Sequence, residues 1–220
     1  MGRICMLATS LTCLLPAIGK TQPRPIVSSR IQWHVAVSSA LSTHTASHNE
    51  LISDGDFSAV SVQGAKPLYR WRGATFSWLA EVQPVIRVTS GAPPQRVPTP
   101  QSDPGEANNP ERLARYSLRS GVGFGIAPLG AEAGMPITRR SQLLVNVTAG
   151  AAWFSQVVPY GKATQANFTV APALAYQHDV GARDAFAVGY ALHHLSNASM
   201  GGANPGMNSH LIFVRWARKR

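Results

Sequence analysis

Apolar and polar residues alternate along most of this chain. Between residues 75 and 88 the even-numbered positions include Phe76, Trp78, Ile86 and Val88, and polar side chains occupy most odd-numbered positions. Since successive side chains of a β-strand point to opposite faces, this period of two predicts a strand. The same alternation predicts strands over residues 143–154, 166–177, 184–196 and 209–216, and less clearly over 31–39, 57–63 and 116–126.

The two faces of these predicted strands differ in character. One face is apolar and rich in aromatic residues, whereas the other carries small and polar residues such as Asn146, Thr148, Asn167, Thr169 and Gln177. About eight such strands fit either a soluble sandwich or a membrane barrel, because the strands of both alternate in this way. The low charged fraction of 14% and a signal for export favour the membrane. We therefore predict an all-β fold, an eight-stranded antiparallel outer-membrane β-barrel over residues 20–220.

The first nineteen residues have the organisation of a secretory signal peptide. A positive start at Arg3 precedes a mostly apolar run, and the small residues Ala17 and Gly19 suit a cleavage site. The run is too short to span a bilayer as a helix. We predict that residues 1–19 are removed on export to the outer membrane, and both cysteines, Cys5 and Cys13, would leave with them.

The segment 91–110 interrupts the strand pattern. It contains six prolines, which cannot donate hydrogen bonds within a central strand. We predict a long loop outside the barrel, and a linker between two domains is the alternative.

The charge of the chain narrows the possible partners. It carries 20 Lys and Arg against 10 Asp and Glu, a net charge of +10. This excess favours an anionic partner, either a nucleic acid or a phosphate-bearing membrane surface. The signal peptide and the aromatic apolar face favour the membrane, so we expect no nucleic-acid partner.

Candidate chemistry lies near the end of the strand predicted at 184–196. His194 and Ser196 are two residues apart, so their side chains share a face of the strand, and an imidazole there could take the serine proton. That face is otherwise apolar, so a catalytic pair on it suits only a lipid substrate. The amide of Asn197 could donate to an oxyanion. His193 points to the other face, and we expect it to form hydrogen bonds in the interior.

A turn signal follows this strand and brings further polar residues to it. Asn204, Pro205 and Gly206 form the turn signal, and it would return Asn208 and His210 to the side of the first strand. On spacing alone, however, a His-x-Ser pattern is more often two surface residues than a catalytic pair.

The sequence around this turn resembles a known family of enzymes. The segment His-Leu-Ser-Asn-Ala at 194–198, followed by Asn-Pro-Gly-Met-Asn at 204–208, is similar to the signature of the PagL-type lipid A 3-O-deacylases, the acyloxyacyl hydrolase family. Segments 70–73, 123–130 and 167–169 also resemble parts of that family, and the resemblance extends over roughly residues 69–216.

The resemblance implies both an activity and roles for particular residues. It implies an outer-membrane serine esterase that hydrolyses the 3-position ester of lipid A in lipopolysaccharide and releases a hydroxy fatty acid. Ser196 would be the nucleophile and His194 the general base, with Asn197 holding the oxyanion and Asn204 supporting the site. No metal or cofactor is implied, and basic side chains near the rim would hold the lipid A phosphates.

One position departs from the family pattern. Twelve residues after the serine the well-studied members carry a glutamate, and this chain has Asn208. An asparagine can orient a histidine but does not stabilise an imidazolium as a carboxylate does, and His210 is another group that could take part. The departure keeps open a non-catalytic barrel of the same fold, with a structural or lipid-binding role. An outer-membrane phospholipase is a further alternative, because it needs the same pair.

Overall fold

The computed structural model describes residues 24–25, 30–47, 50–91, 118–159, 163–201 and 206–218. The predicted signal peptide and nearly all of the proline-rich segment lie outside these residues. No helix within the described ranges is long and apolar enough to span a membrane.

The described residues form an antiparallel β-barrel. A two-residue strand, β1, is followed by the eight strands of the barrel, and the nine strands are β1 (Arg24–Pro25), β2 (Gln32–Ser47), β3 (Glu50–Trp71), β4 (Ala74–Ser90), β5 (Gly121–Pro136), β6 (Ser141–Val158), β7 (Thr164–Val180), β8 (Asp184–Ser196) and β9 (Met207–Arg218). Each of β2 to β9 pairs with two others of this set, and the pairing of β2 with β9 closes the barrel. The predicted all-β, eight-stranded barrel is confirmed.

The two ends of the barrel differ in the length of their connections. At one end, the short-turn end, residues 72–73, 137–140 and 181–183 join consecutive strands. At the other, the long-loop end, the connections include residues 91–120 and 197–206. In outer-membrane barrels the short turns are periplasmic and the longer loops are extracellular.

The predicted division between an apolar and a polar face is also present. On β8, Phe186, Val188 and Tyr190 are exposed on the outside of the barrel, whereas Ala185 and Ala187 are buried inside it. Thr148, Asn167 and Gln177 of the predicted polar face are likewise buried in the barrel. The apolar face therefore surrounds the barrel as a surface suited to lipid.

The strand predicted at 75–88 departs from this rule in its second half. Val82 is 51% exposed on the outside, whereas Ile86 and Val88, predicted to share its face, are only 0% and 1% exposed inside the barrel. The pairing with β5 shifts register between Gln83 and Ile86, which is a β-bulge. Pro84 lies in this bulge and has no amide hydrogen for the ladder, so the bulge reverses the alternation beyond it.

The sequence pattern predicted an interior of small and polar side chains, but only part of the interior is polar. Its centre is polar: Arg215 forms an ion pair with Glu132 at 2.6 Å and donates to Gln63 and Gln177. Towards the long-loop end the interior is instead an apolar cluster that includes Phe57, Ile86, Val88, Leu118, Phe154, Leu195, Met207 and Leu211. This cluster supports the ends of β8 and β9 from inside.

Candidate active site

The predicted catalytic pair lies on the outside of the barrel near its long-loop end. His194 and Ser196 follow Tyr190 and Leu192 along the outer face of β8, and both are half-buried where the column of exposed apolar residues ends. The structure therefore places them on one face of the strand, as their spacing predicts. Ser196 is the last residue of β8.

Asn208 lies directly across from His194. The two residues are partners in the β8–β9 ladder, and His194 Nδ1 is 2.7 Å from Asn208 Oδ1. Because an amide oxygen only accepts hydrogen bonds, Nδ1 donates and the hydrogen of a neutral ring is on that nitrogen. The other ring nitrogen, Nε2, then has an unshared electron pair and can act as a base.

Ser196 lies next to this pair but is not bonded to it. It is the ladder partner of Phe168 on β7, so its neighbour on that side is an exposed aromatic ring. Among the described residues, the structure records no hydrogen bond between Ser196 and His194. Catalytic hydrogen bonds are often long or absent without substrate, so this geometry is compatible with a nucleophile and a base.

The chain turns sharply after Ser196, and Asn197 holds the turn. Asn197 is fully buried, and its Oδ1 accepts a hydrogen bond from the Ser199 amide at 3.0 Å. Its backbone carbonyl accepts from the Met200 amide, also at 3.0 Å. Ala198 and Ser199 have φ angles of 49° and 64°, a left-handed conformation that non-glycine residues rarely adopt. Two such residues beside a candidate nucleophile indicate strain that the rest of the site maintains.

Gly206 is a site residue that the sequence argument did not single out. It has a φ of 56°, and a Cβ atom on it would lie 3.3 Å from Cε1 of His194. The position therefore favours glycine for its conformation and for its close approach to the histidine. Its place in the Asn-Pro-Gly signal could have identified it. Asn204, predicted to support the site, lies outside the described residues.

His210 is on the same outer face but has a different partner. Its Nδ1 forms a hydrogen bond with the hydroxyl of Tyr190, and the two ring centroids are 6.0 Å apart. The hydrogen bond that the structure shows for His194 Nδ1 is to the Asn208 side chain.

The prediction for His193 is half correct. Its side chain is inside the barrel, only 2% exposed, with its ring centroid 4.6 Å from that of Phe57. Neither ring nitrogen, however, has a hydrogen-bond partner among the described residues. The expected interior hydrogen bond is therefore wrong, because the neighbouring side chain is an aromatic ring. The ring instead lines a cavity of about 50 Å³ beside Arg215, whose wall contains both polar and apolar side chains.

The expectation that basic side chains near the site hold the lipid phosphates stays a prediction, and among the described residues Arg87 and Arg119 are exposed at the long-loop end. In the described parts of β7, β8 and β9, the two cations are Arg215, inside the barrel, and Arg218, at the short-turn end. No group of three or more His, Cys, Asp or Glu side chains suited to a metal ion occurs among the described residues.

Comparison with known protein families finds a match in the part of the chain that contains the candidate active site. Residues 115–217 match the model of the lipid A 3-O-deacylase (PagL) family. This match covers a little less than half of the chain. The matched part contains β5 to β8 and all but the last residue of β9 and, with them, His194, Ser196 and Asn208.

One solved structure extends the likeness of the fold beyond residues 115–217. The crystal structure of the outer membrane enzyme PagL matches with a TM-score of 0.53 and 13% identity, covering 82% of this chain and 97% of that chain. The crystal structure of Neisserial surface protein A matches with a TM-score of 0.45 and 10% identity, covering 86% of this chain and 97% of that one. No curated protein sequence matches the chain.

Proposed function

We propose that this chain is an outer-membrane lipid A 3-O-deacylase, a serine carboxylic ester hydrolase that removes the 3-O-linked hydroxyacyl chain of lipopolysaccharide. The observation that carries the proposal is the hydrogen bond from His194 to Asn208, which orients a basic nitrogen beside Ser196 on a lipid-facing surface. The PagL-family match over residues 115–217 supports the same activity.

The position of the site supports a lipid substrate. The outer faces of β7 and β8 lead to Ser196 through exposed apolar side chains, among them Phe168, Val170 and Leu192. An acyl chain lying along these strands would remain in the hydrocarbon region while its ester group reached the membrane boundary. A water-soluble ester would gain nothing from this surface.

The first half of the proposed reaction forms an acyl-enzyme. His194 Nε2 takes the proton of the Ser196 hydroxyl as Ser196 Oγ attacks the carbonyl carbon of the ester. The resulting tetrahedral intermediate collapses when its bond to the sugar oxygen breaks, and His194 returns the proton to that oxygen. The deacylated lipid A leaves with a free hydroxyl group, and the acyl chain remains on Ser196.

The second half uses water in the same way. His194 removes a proton from a water molecule, whose oxygen attacks the acyl carbonyl. The bond to Ser196 then breaks, and the proton returns to Ser196 Oγ. The products are the free hydroxy fatty acid and the original enzyme.

Three asparagines have supporting roles in this proposal. Asn208 orients His194, while its neutral amide gives the imidazolium less electrostatic stabilisation than a carboxylate would. Asn197 fixes the turn beside Ser196 and is the candidate oxyanion donor through its amide nitrogen. Asn204 remains a proposed support for the site.

The proposed activity can be tested by mass spectrometry of lipid A from a lipopolysaccharide-bearing bacterium that expresses the protein. The native chain should remove one 3-hydroxyacyl mass, and Ser196→Ala should not. Ser199→Ala is a matched control, because its hydroxyl is in the same turn and only its backbone amide has a described role. Unchanged lipid A with the native barrel folded in the outer membrane would contradict the proposal.

The same experiment distinguishes the alternatives. Release of fatty acid from glycerophospholipids, lost in Ser196→Ala, would identify a phospholipase. A folded barrel that hydrolyses neither lipid would be the non-catalytic member of the fold.

A further inference from the structure

The exposed cations of the described chain gather at the end of the barrel opposite the candidate active site. Nine basic side chains surround the short-turn end, and we call them the basic rim: Arg24, Arg30, Lys66, Arg70, Arg72, Arg139, Arg140, Arg183 and Arg218. All nine are exposed, and two acidic side chains, Asp179 and Asp184, lie among them. The rim therefore carries a clear positive excess.

The long-loop end does not show this excess among the described side chains. There Arg87 and Arg119 are exposed together with Asp56. The remaining described cation, Arg215, is inside the barrel, where Glu132 neutralises it. The described exposed charge is thus concentrated at one end.

A band of exposed aromatic side chains lies on the barrel wall next to the basic rim. It contains Trp33, Tyr69, Trp71, Trp78, Tyr176 and Phe186. Such bands lie at the level of lipid headgroups, because the rings are apolar while Trp and Tyr carry one polar group. The guanidinium of Arg72 lies 5.0 Å from the ring centroid of Trp71, so the band and the rim are in contact. The rim is therefore placed at the headgroup layer of the leaflet that the short turns face.

We propose that the basic rim binds the headgroups of anionic phospholipids in that leaflet. Arginine is suited to this because its planar guanidinium can donate two parallel hydrogen bonds to one phosphate group. Several cations close to a membrane surface each add to the attraction for anionic lipids. The rim is a ring and not a pocket, so it fits a layer of headgroups better than one soluble anion.

Because β8 runs from the basic rim to Ser196, headgroup binding at the rim also determines the depth of Ser196 in the membrane. Twelve steps separate Asp184 from Ser196, and at about 3.4 Å a step with a tilt of about 40° they span roughly 30 Å along the membrane normal. That is about the thickness of a hydrocarbon core. A rim held in one headgroup layer therefore places Ser196 at the opposite membrane boundary. The binding itself does not depend on the proposed deacylase activity.

The test uses the full chain refolded in phosphatidylcholine vesicles that contain a brominated lipid. Bromine quenches tryptophan fluorescence, and Trp33, Trp71 and Trp78 all lie beside the rim. Comparison of brominated phosphatidylglycerol with brominated phosphatidylcholine gives their relative binding constant. We expect a preference of about threefold or more for phosphatidylglycerol that decreases at high salt.

Neutralising the turn arginines should remove this preference. The variant Arg72→Gln/Arg139→Gln/Arg140→Gln/Arg183→Gln changes only residues in the short turns, and its binding constants should become nearly equal. The matched control, Arg87→Gln/Arg119→Gln, changes the other end and should retain the native preference. If the fourfold variant does not fold, Arg139→Gln/Arg140→Gln replaces it and should show a smaller preference than the native chain.

Four results would overturn the proposal. These are equal quenching by both lipids in the native protein, a preference that the fourfold variant retains, and competition by inorganic phosphate beyond that of chloride at equal ionic strength. The fourth concerns purified peptidoglycan: the native chain binds it, and the fourfold variant loses this binding but keeps its lipid preference. The basic rim would then bind a different anionic partner.

Discussion

His194 and Asn208 face each other across the β8–β9 ladder, and the histidine Nδ1 donates to the asparagine Oδ1 over 2.7 Å. This contact fixes the ring orientation and its tautomer without supplying a negative charge. A carboxylate at this position would both orient the His194 ring and stabilise its positive charge. Asn208 provides only the orientation.

The substitution Asn208→Asp should therefore raise the activity. The two side chains have the same length, so the introduced carboxylate would accept the same hydrogen bond and also stabilise the imidazolium that forms during attack. Loss of the carboxylate from a serine protease triad costs about 10⁴ in kcat, largely through the tautomer, so the gain here should be smaller, about tenfold. The rate of hydroxy fatty acid release from lipid A measures it.

Asn208→Leu is the matched variant of similar size that cannot accept a hydrogen bond. It should lose nearly all activity while the barrel remains folded. Equal rates for the native chain and for the aspartate and leucine variants would show that this position does not orient the catalytic base.

A second prediction separates the two possible roles of Asn197. Asn197→Asp retains an oxygen that can accept from the Ser199 amide, so the turn should form, although the buried carboxylate should lower the melting temperature. It removes the amide donor, and loss of one oxyanion donor typically lowers kcat by about 10²–10³-fold. A folded aspartate variant with native kcat would restrict Asn197 to holding the turn.

The Tyr190–His210 hydrogen bond should be dispensable for catalysis. His210 is held by Tyr190 on the outer face, whereas the orienting contact to His194 comes from Asn208. We expect Tyr190→Phe and His210→Phe to keep kcat within about threefold of the native value, since the hydrogen bond that orients the base is to Asn208 and is present in both variants. His194→Phe, a matched change at the other outward histidine, should abolish activity. A large loss in both Tyr190→Phe and His210→Phe would instead place this pair in the reaction.

The sequence predicted the elements that contain the site more accurately than the rest of the barrel. The predicted strand 184–196 has the same bounds as β8, because its alternation has no proline and ends at a turn signal. In contrast, β3 has 22 residues, whereas the pattern predicted seven, at 57–63. Gly64 and Pro67 weaken the pattern there, but the neighbouring strands supply hydrogen bonds that the sequence alone does not reveal.

Two misjudged interior positions have a common physical origin. Ile86 and Val88 were assigned to the outer face because the bulge at Pro84 was not anticipated, and His193 was given a hydrogen bond although Phe57 lies beside it. Which side chains meet inside a barrel depends on register and bulges, and these involve strands far apart in sequence. The outward face of β8 was predictable because its side chains point away from the barrel, so their positions follow from the alternation along β8 itself and not from packing against distant strands.

The buried ion pair between Arg215 and Glu132 yields a prediction for stability. The two side chains are 1% and 8% exposed and 2.6 Å apart, and Arg215 also donates to Gln63 and Gln177. Glu132→Leu should lower the free energy of unfolding by about 3–5 kcal/mol, because it leaves a buried guanidinium without a counterion. Urea unfolding in lipid vesicles, followed by tryptophan fluorescence, measures the loss.

The double variant Glu132→Leu/Arg215→Met removes both charges and should recover much of that free energy, since an apolar pair of similar volume replaces the ion pair. If the double variant were less stable than Glu132→Leu alone, the guanidinium would be stabilised by the two glutamines without its carboxylate partner.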